Sequence, residues 1–290
     1  MANDKNAAVA YKVSVVSIAV NIALSLVKLA AGIIASSGAM ISDALHSASD
    51  VLSTLVVIFG VRLSKKEADK THPYGHERFE CVSAIVLAAV LCITGIGIGV
   101  SGIKKIISGE ELKIPGALAL VAAALSIAVK EVMYHYTARA AKKIGSPSLK
   151  ADAWHHRSDA LSSVGSFIGI LGAILGVPVL DPIASVVIAA LVVKVSIEIF
   201  SDAVGRMTDR ACDDKTVDEL RDIILSVDGV LSVDLIKTRL FGDKIYVDVE
   251  IGADAESTLA ESHEVAENVH SAIESYSPNV KHCMVHVNPK

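Results

Sequence analysis

Six apolar stretches leave few folds open to this chain. They cover about residues 10–35, 39–63, 81–107, 115–138, 151–175 and 179–200. Each is close to the ~20 residues a helix needs to cross the hydrocarbon core of a bilayer. The chain is 52% hydrophobic but only 4% aromatic, so Ala, Val, Ile and Leu supply the apolar bulk. That mix suits helices packed side by side in lipid, where small residues let backbones approach closely. Residues 1–6 are polar, and the apolar run after them is too long for the apolar region of a signal peptide, so no cleavable signal is expected. Cys81, Cys92, Cys212 and Cys283 are scattered, with no C-x-x-C pair, and argue for neither a disulfide framework nor a thiolate metal site. No basic stripe with interleaved aromatics suggests nucleic-acid binding.

Lys and Arg in the short connections give an orientation. The connection after the second stretch carries Arg62, Lys65, Lys66, Lys70 and Arg78, and that after the fourth carries Arg139, Lys142, Lys143 and Lys150. The first and fifth connections carry none, while the third holds Lys104, Lys105 and Lys113. The majority places both termini in the cytoplasm. Beyond residue 206 the composition changes: residues 207–290 hold 17 Asp and Glu against 8 Lys and Arg. Two domains are therefore expected, a transmembrane part over 1–206 and an acidic soluble part over 207–290. The soluble part reads helix (216–226), strand (233–240), strand (244–251), helix (258–276), strand (280–287), with Phe241-Gly242-Asp243 as a hairpin turn signal. The fold class is a membrane α-helical bundle of six transmembrane helices with a C-terminal cytoplasmic α+β, ferredoxin-like domain.

Ionisable side chains inside a spanning helix are costly, and each one there is a functional candidate. The second stretch contains Asp43, His46 and Asp50, and the fifth contains His155-His156-Arg157-Ser158-Asp159. His46 and Asp50 stand four apart, as do His155 and Asp159, so each pair lies on one helical face. Two helices, each offering one imidazole and one carboxylate, can enclose one ion, and two nitrogens with two oxygens suit tetrahedral Zn²⁺. Mg²⁺ or Ca²⁺ would want more oxygen ligands, whereas Co²⁺ or Fe²⁺ could use the same set. A single such residue would read as a helix-packing polar group; the repeated spacing favours metal. Asp43 is a candidate either to orient His46 or to stand as a carboxylate near the membrane entrance. His156 points about 100° away from His155 and is not expected to ligate. Asn21, Lys28, Lys130, Glu131 and His135 read as structural, with the last three near an interface and the lysines snorkelling.

Between the second and third stretches, Asp69, His72 and His76 can converge through the turn at Pro73 and Gly75 and hold a second metal, against the plain alternative of a solvated loop.

These residues resemble the cation diffusion facilitator family over nearly the whole chain: six spans, paired His/Asp motifs, an H-P-x-G-H loop and an acidic α+β tail. The resemblance implies that His46, Asp50, His155 and Asp159 form a transport site, with histidine in its first position as in zinc transporters. It implies Asp69, His72 and His76 as a second metal site. It also implies an Arg78–Asp209 salt bridge tying the hinge region of two protomers. For the tail it implies Asp234, Asp248, His263 and His286 as metal ligands, although Asp234 and Asp248 stand where histidines are common and Asn288 where an acid is found. The implied activity is homodimeric Zn²⁺/H⁺ antiport by alternating access, with Zn²⁺ as cargo and regulator and other divalent metals as alternatives. Site chemistry points the same way, because a metal must displace protons from imidazole and carboxylate ligands. Two other classes fit parts of the sequence. An intramembrane metalloenzyme lacks H-E-x-x-H and an evident general base, and a non-transporting metal-sensing scaffold has no need of ligands in lipid.

Overall fold

In the computed structural model, residues 2–34, 38–108, 117–174, 177 and 180–290 are described. Six long helices come first: α1 (Ala2–Ile34), α2 (Gly38–Ser64), α3 (Phe79–Ser108), α4 (Ala117–Ile144), α5 (Pro147–Ile174) and α6 (Leu180–Met207). α1, α4, α5 and α6 are longer than their apolar stretches by a full turn or more at one end, whereas α2 and α3 match theirs to within two residues. Among the described residues, two segments, Asn6–Ala30 and Phe79–Ser108, are long and apolar enough by themselves to cross a membrane.

The connection between α4 and α5 shows how local sequence sets the architecture. Gly145 sits at φ 69°, a left-handed conformation that ends a helix cheaply only without a Cβ. Ser146 N donates to Ala141 O at 3.1 Å, closing α4 in a Schellman turn. Ser146 is at once the N-cap of α5: its Oγ accepts from Leu149 N at 3.2 Å, and Pro147 takes the first helical position, where its missing N–H costs nothing. The two helices are thus joined by two residues. The expected 4–5 loop is corrected accordingly: Arg139, Lys142 and Lys143 lie on the last turns of α4 and Lys150 on the first turn of α5. Helix geometry continues there because Gly145 is the first strong terminator. Buried Glu80 of α3 accepts from Ser146 Oγ and, at 3.1 Å, from Ser148 Oγ, pinning the junction to a third helix.

Helix α5 packs against α2, α3 and α4. The common core gathers small and aliphatic side chains from all six helices, including Ala10, Val57, Leu87, Ala141, Leu149 and Ala203. At Gly60 of α2 an added Cβ would lie 2.6 Å from Ser83 Cβ, so glycine is what lets α3 come this close. The outer surface is the reverse of a soluble protein's: Leu26 is 61% exposed, Ile93 70% and Val132 68%. Faces this apolar are stable in lipid and sticky in water.

A second compact unit begins at Val204. It comprises the end of α6, then α7 (Asp214–Leu225), β1 (Ser232–Phe241), β2 (Lys244–Ala253), α8 (Leu259–Tyr276) and β3 (Val280–Pro289). These match the expected order: each of the three strands is longer than expected by two residues in all, α7 starts two residues earlier and ends one earlier, and α8 starts one residue later. β1 and β2 form an antiparallel hairpin with Phe241 opposite Lys244; β3 adds parallel to β2 after the α8 crossover, giving the order β1-β2-β3. Period-2 alternation sends Val247, Val249 and Ile251 inward against Leu220 and Ile224 of α7 and Val269 and Ile273 of α8. α7 is capped by Asp213, and α8 opens with a capping box between Thr258 and Glu261. Cys283 closes this core; burial, with Glu274 and Asp248 nearby, pushes its thiol up to about 12, so it is no thiolate ligand at neutral pH.

Candidate metal site

Asp50 of α2 and His155 and Asp159 of α5 bring three ligand atoms within 4.8 Å of one another, and all three residues are buried. His155 Nε2 lies 3.5 Å from Asp50 Oδ1 and 4.0 Å from Asp159 Oδ2. Among the described residues neither ring nitrogen of His155 has a hydrogen-bond partner, an uncommon state for buried imidazole and one that leaves a lone pair available to an ion. His46 stands one turn before Asp50 on α2, on the same helical face. The side chains of His46 and Asp43 lie outside the described residues.

Lys130 was expected near an interface, and it is 1% exposed. Its Nζ donates to Asp50 Oδ2 at 2.5 Å, Asp159 Oδ2 at 2.8 Å and Asn21 Oδ1 at 3.0 Å. Lys130 of α4 and Asn21 of α1 therefore belong to the same constellation as the carboxylates. The physical reason is that three oxygens from three other helices replace the water that snorkelling would have supplied. The signal was the length of α4: measured to Gly145, the helix places Lys130 at its middle, too deep to reach headgroups. Glu131 and His135, by contrast, pair with each other at 3.3 Å on a partly exposed face, and Arg157 reaches Glu131 at 3.4 Å.

His156 turns away from His155, as its position dictates. It is fully buried and faces Asp152 at 3.6 Å and Ser17 Oγ at 3.4 Å, while Thr54 Oγ1 donates to Asp152 Oδ1 at 3.5 Å. This polar layer lies one turn of α5 before the site.

In the α2–α3 loop, Asp69, His72 and His76 also converge within ligand range. Asp69 organises the turn: Lys66 Nζ donates to Oδ2 at 2.6 Å, and Thr71 N and His72 N donate to Oδ1 at 2.9 and 2.8 Å. The Lys66 ammonium, then Thr71 and the His72 amide, hold the carboxyl far below the usual range. His76 Nδ1 is 3.1 Å from the carbonyls of Lys66 and Glu67, so it must carry the proton and donate. That tautomer presents Nε2 as an acceptor, 3.5 Å from Asp69 Oδ2. One ring nitrogen is thus fixed by backbone carbonyls and the other is turned towards Asp69, the arrangement common among ligating histidines.

The four tail residues are spread out. Asp234 is held by Lys290 Nζ at 3.1 Å and Asn288 Nδ2 at 3.0 Å; Ser232 and Lys290 depress its carboxyl. Asp248 and His286 sit on β2 and β3, and His263 is exposed on α8 beside Glu267 at 3.9 Å. Among the described residues no three His, Cys, Asp or Glu of the tail come within ligand range of one another. Arg78 and Asp209 fall in different units. Asp209 itself adopts φ 61° in the turn after α6, where Arg210 N donates to Gly205 O at 2.9 Å.

A helical bundle coated in apolar side chains, with carboxylates, an imidazole and an ammonium meeting inside it, is built as an integral membrane cation transporter. Comparison with known proteins gives the family. Residues 14–207 match the cation efflux transmembrane domain and residues 212–290 the cation efflux protein cytoplasmic domain. Similar proteins include an uncharacterized transporter of Methanocaldococcus jannaschii, 37% identical over 94% of this chain and 96% of the relative. The manganese efflux system protein MneP of Bacillus subtilis is 30% identical over 96% of this chain and 95% of its own length. The magnetosome protein MamB of a Magnetospira strain is 32% identical, with 93% of this chain and 92% of the relative covered. The chain belongs to the cation diffusion facilitator family, whose members are divalent-metal efflux transporters and not enzymes.

Proposed function

We propose that this protein exports a divalent transition-metal ion, zinc first, through a site made of Asp50, His155 and Asp159 and completed by His46. The observation that carries this reading is the convergence of three buried ligand groups from two helices, one of them an imidazole with neither ring nitrogen satisfied by the described residues. Two imidazoles and two carboxylates match the preference of Zn²⁺ for four mixed N/O ligands. Manganese is the second reading, favoured by the likeness to MneP, and Mn²⁺ would draw more heavily on carboxylate oxygen.

In this reading α1–α6 all span the membrane and both termini face the cytoplasm. The apolar outer faces support the first point and the basic helix ends at 139–150 the second. Facing inward, the ligands are deprotonated and capture metal; facing outward, protons compete for imidazole and carboxylate and release it. Metal leaves as protons enter. The chain works as a homodimer, with Arg78 and Asp209 pairing at the hinge. The acidic tail, through Asp234, Asp248, His263 and His286 of two copies, draws together when metal neutralises it. The Asp69/His72/His76 loop holds a further ion at the cytoplasmic side.

The test is metal flux into proteoliposomes with an imposed pH gradient, run with zinc, manganese, iron, cobalt and cadmium. Native protein should move zinc fastest, in proportion to the gradient. Asp50→Ala and Asp159→Ala should each reduce transport at least about a hundredfold while remaining folded, since each removes a charged ligand from a desolvated site. Native-like transport by either variant would assign the cluster to structure; a rate highest for manganese would select the second reading.

A further inference from the structure

The metal site already holds a cation of its own. Nζ of Lys130 touches one oxygen of Asp50 and one of Asp159, at 2.5 and 2.8 Å. These are the carboxylates that a divalent ion would bind, at ~2.0–2.2 Å from each oxygen. Ammonium and metal cannot both occupy that gap. Asn21 Oδ1 of α1 accepts from the same Nζ at 3.0 Å, a neutral third partner beside the two acids. Asn21 therefore gives the ammonium somewhere to stay when it lets go of the acids.

We propose that Lys130 is a tethered competitor for the metal: its ammonium fills the ion's position whenever the carrier is empty, and the cargo must displace it towards Asn21. The inference rests on the transport role assigned above to Asp50 and Asp159. Its physical basis is charge. Two bare carboxylates inside a bundle surrounded by lipid repel each other and are poorly solvated. An empty carrier with that arrangement would resist reorienting and would hold its metal too tightly to release it. With Lys130 in place, one of the two negative charges is cancelled at every stage when no metal is bound. The lysine thus lowers affinity and raises turnover. A lysine acting only as a structural clamp between α1, α2, α4 and α5 does the opposite: its loss loosens the ligands and weakens metal binding.

The experiment compares native protein with Lys130→Met and Lys130→Arg in proteoliposomes. It measures equilibrium zinc binding, net zinc flux, and exchange of zinc for isotopic zinc, which needs no empty-carrier return. Lys130→Met should bind zinc about tenfold or more tightly, because a unit positive charge within hydrogen-bond distance of the ligands is gone. Its KM and its maximal net flux should both fall, while zinc–zinc exchange stays within about threefold of native. Lys130→Arg, which keeps a cation, should bind zinc within about threefold of native. Should Lys130→Met fail to assemble, Lys130→Gln, which keeps a donor without the charge, is judged by the same criteria. Unchanged or weaker zinc binding by a folded, uncharged variant, or net flux and exchange falling together, overturns the proposal. Failure of the underlying site shows separately: Asp50→Ala and Asp159→Ala would then transport normally, whatever the lysine variants do.

Discussion

Asp69 does two jobs with one carboxylate. One oxygen ties the turn through the amides of Thr71 and His72, and the other, beside Lys66, faces Nε2 of His76 at 3.5 Å. Its folded-state affinity for protons is depressed from an ordinary value near 3.8. A depressed carboxyl stabilises its turn at every pH above that ordinary value and loses the effect only as pH falls through the lower folded value. Between about pH 5 and 8 the turn is therefore constant, and any change in loop metal over that window comes from the imidazoles or the metal itself. Asp69→Ala should release one bound zinc per protomer, read by equilibrium dialysis, and leave the buried site loaded. An unchanged stoichiometry would show that the loop holds no ion.

Among the elements, the α4–α5 junction is the part most open to a single substitution. Gly145→Ala meets no atom within 4 Å, so its effect is conformational: an L-residue at φ 69° costs ~1–2 kcal/mol. A drop of several degrees in the thermal midpoint of the detergent-purified protein is expected, with part of it restored by Gly145→Asn, since asparagine tolerates this conformation. Equal stability of the alanine variant would mean that the junction is not a rigid corner. This same junction shows what a sequence displays and what it hides. Apolar runs place the six helices, and β-branched alternation with acidic helix starts places every element of the tail. Pairs four apart find His155 with Asp159 because both lie on one helix. The partners of Lys130 are 29, 80 and 109 residues away, beyond any periodicity, and only a correct helix end would have shown its depth. Glu80 was silent for the same reason: its partners Ser146 and Ser148 belong to another helix's cap.

At the scale of the molecule the bundle is inside out: aliphatic on its surface, with charged side chains buried among its helices. Lys130 and Asp159, one pair of opposite buried charges, lie on two helices joined by only Gly145 and Ser146. In the six-span reading proposed above, a chain leaving the ribosome meets the membrane with this pair already on one hairpin. Each charge alone at the centre of a helix costs ~2.5–3.5 kcal/mol to insert. Entering together as a neutral unit, they avoid part of that cost, and the hairpin can partition into lipid before α2 docks. Replacing Lys130 alone or Asp159 alone should lower the inserted fraction of the isolated α4–α5 segment in a glycosylation-mapping assay, and replacing both should restore it. Equal insertion of the single variants and the native segment would show that the two helices enter separately. With insertion as a pair, the corner between α4 and α5 also serves biogenesis, delivering a charged centre to the interior of a membrane as one unit.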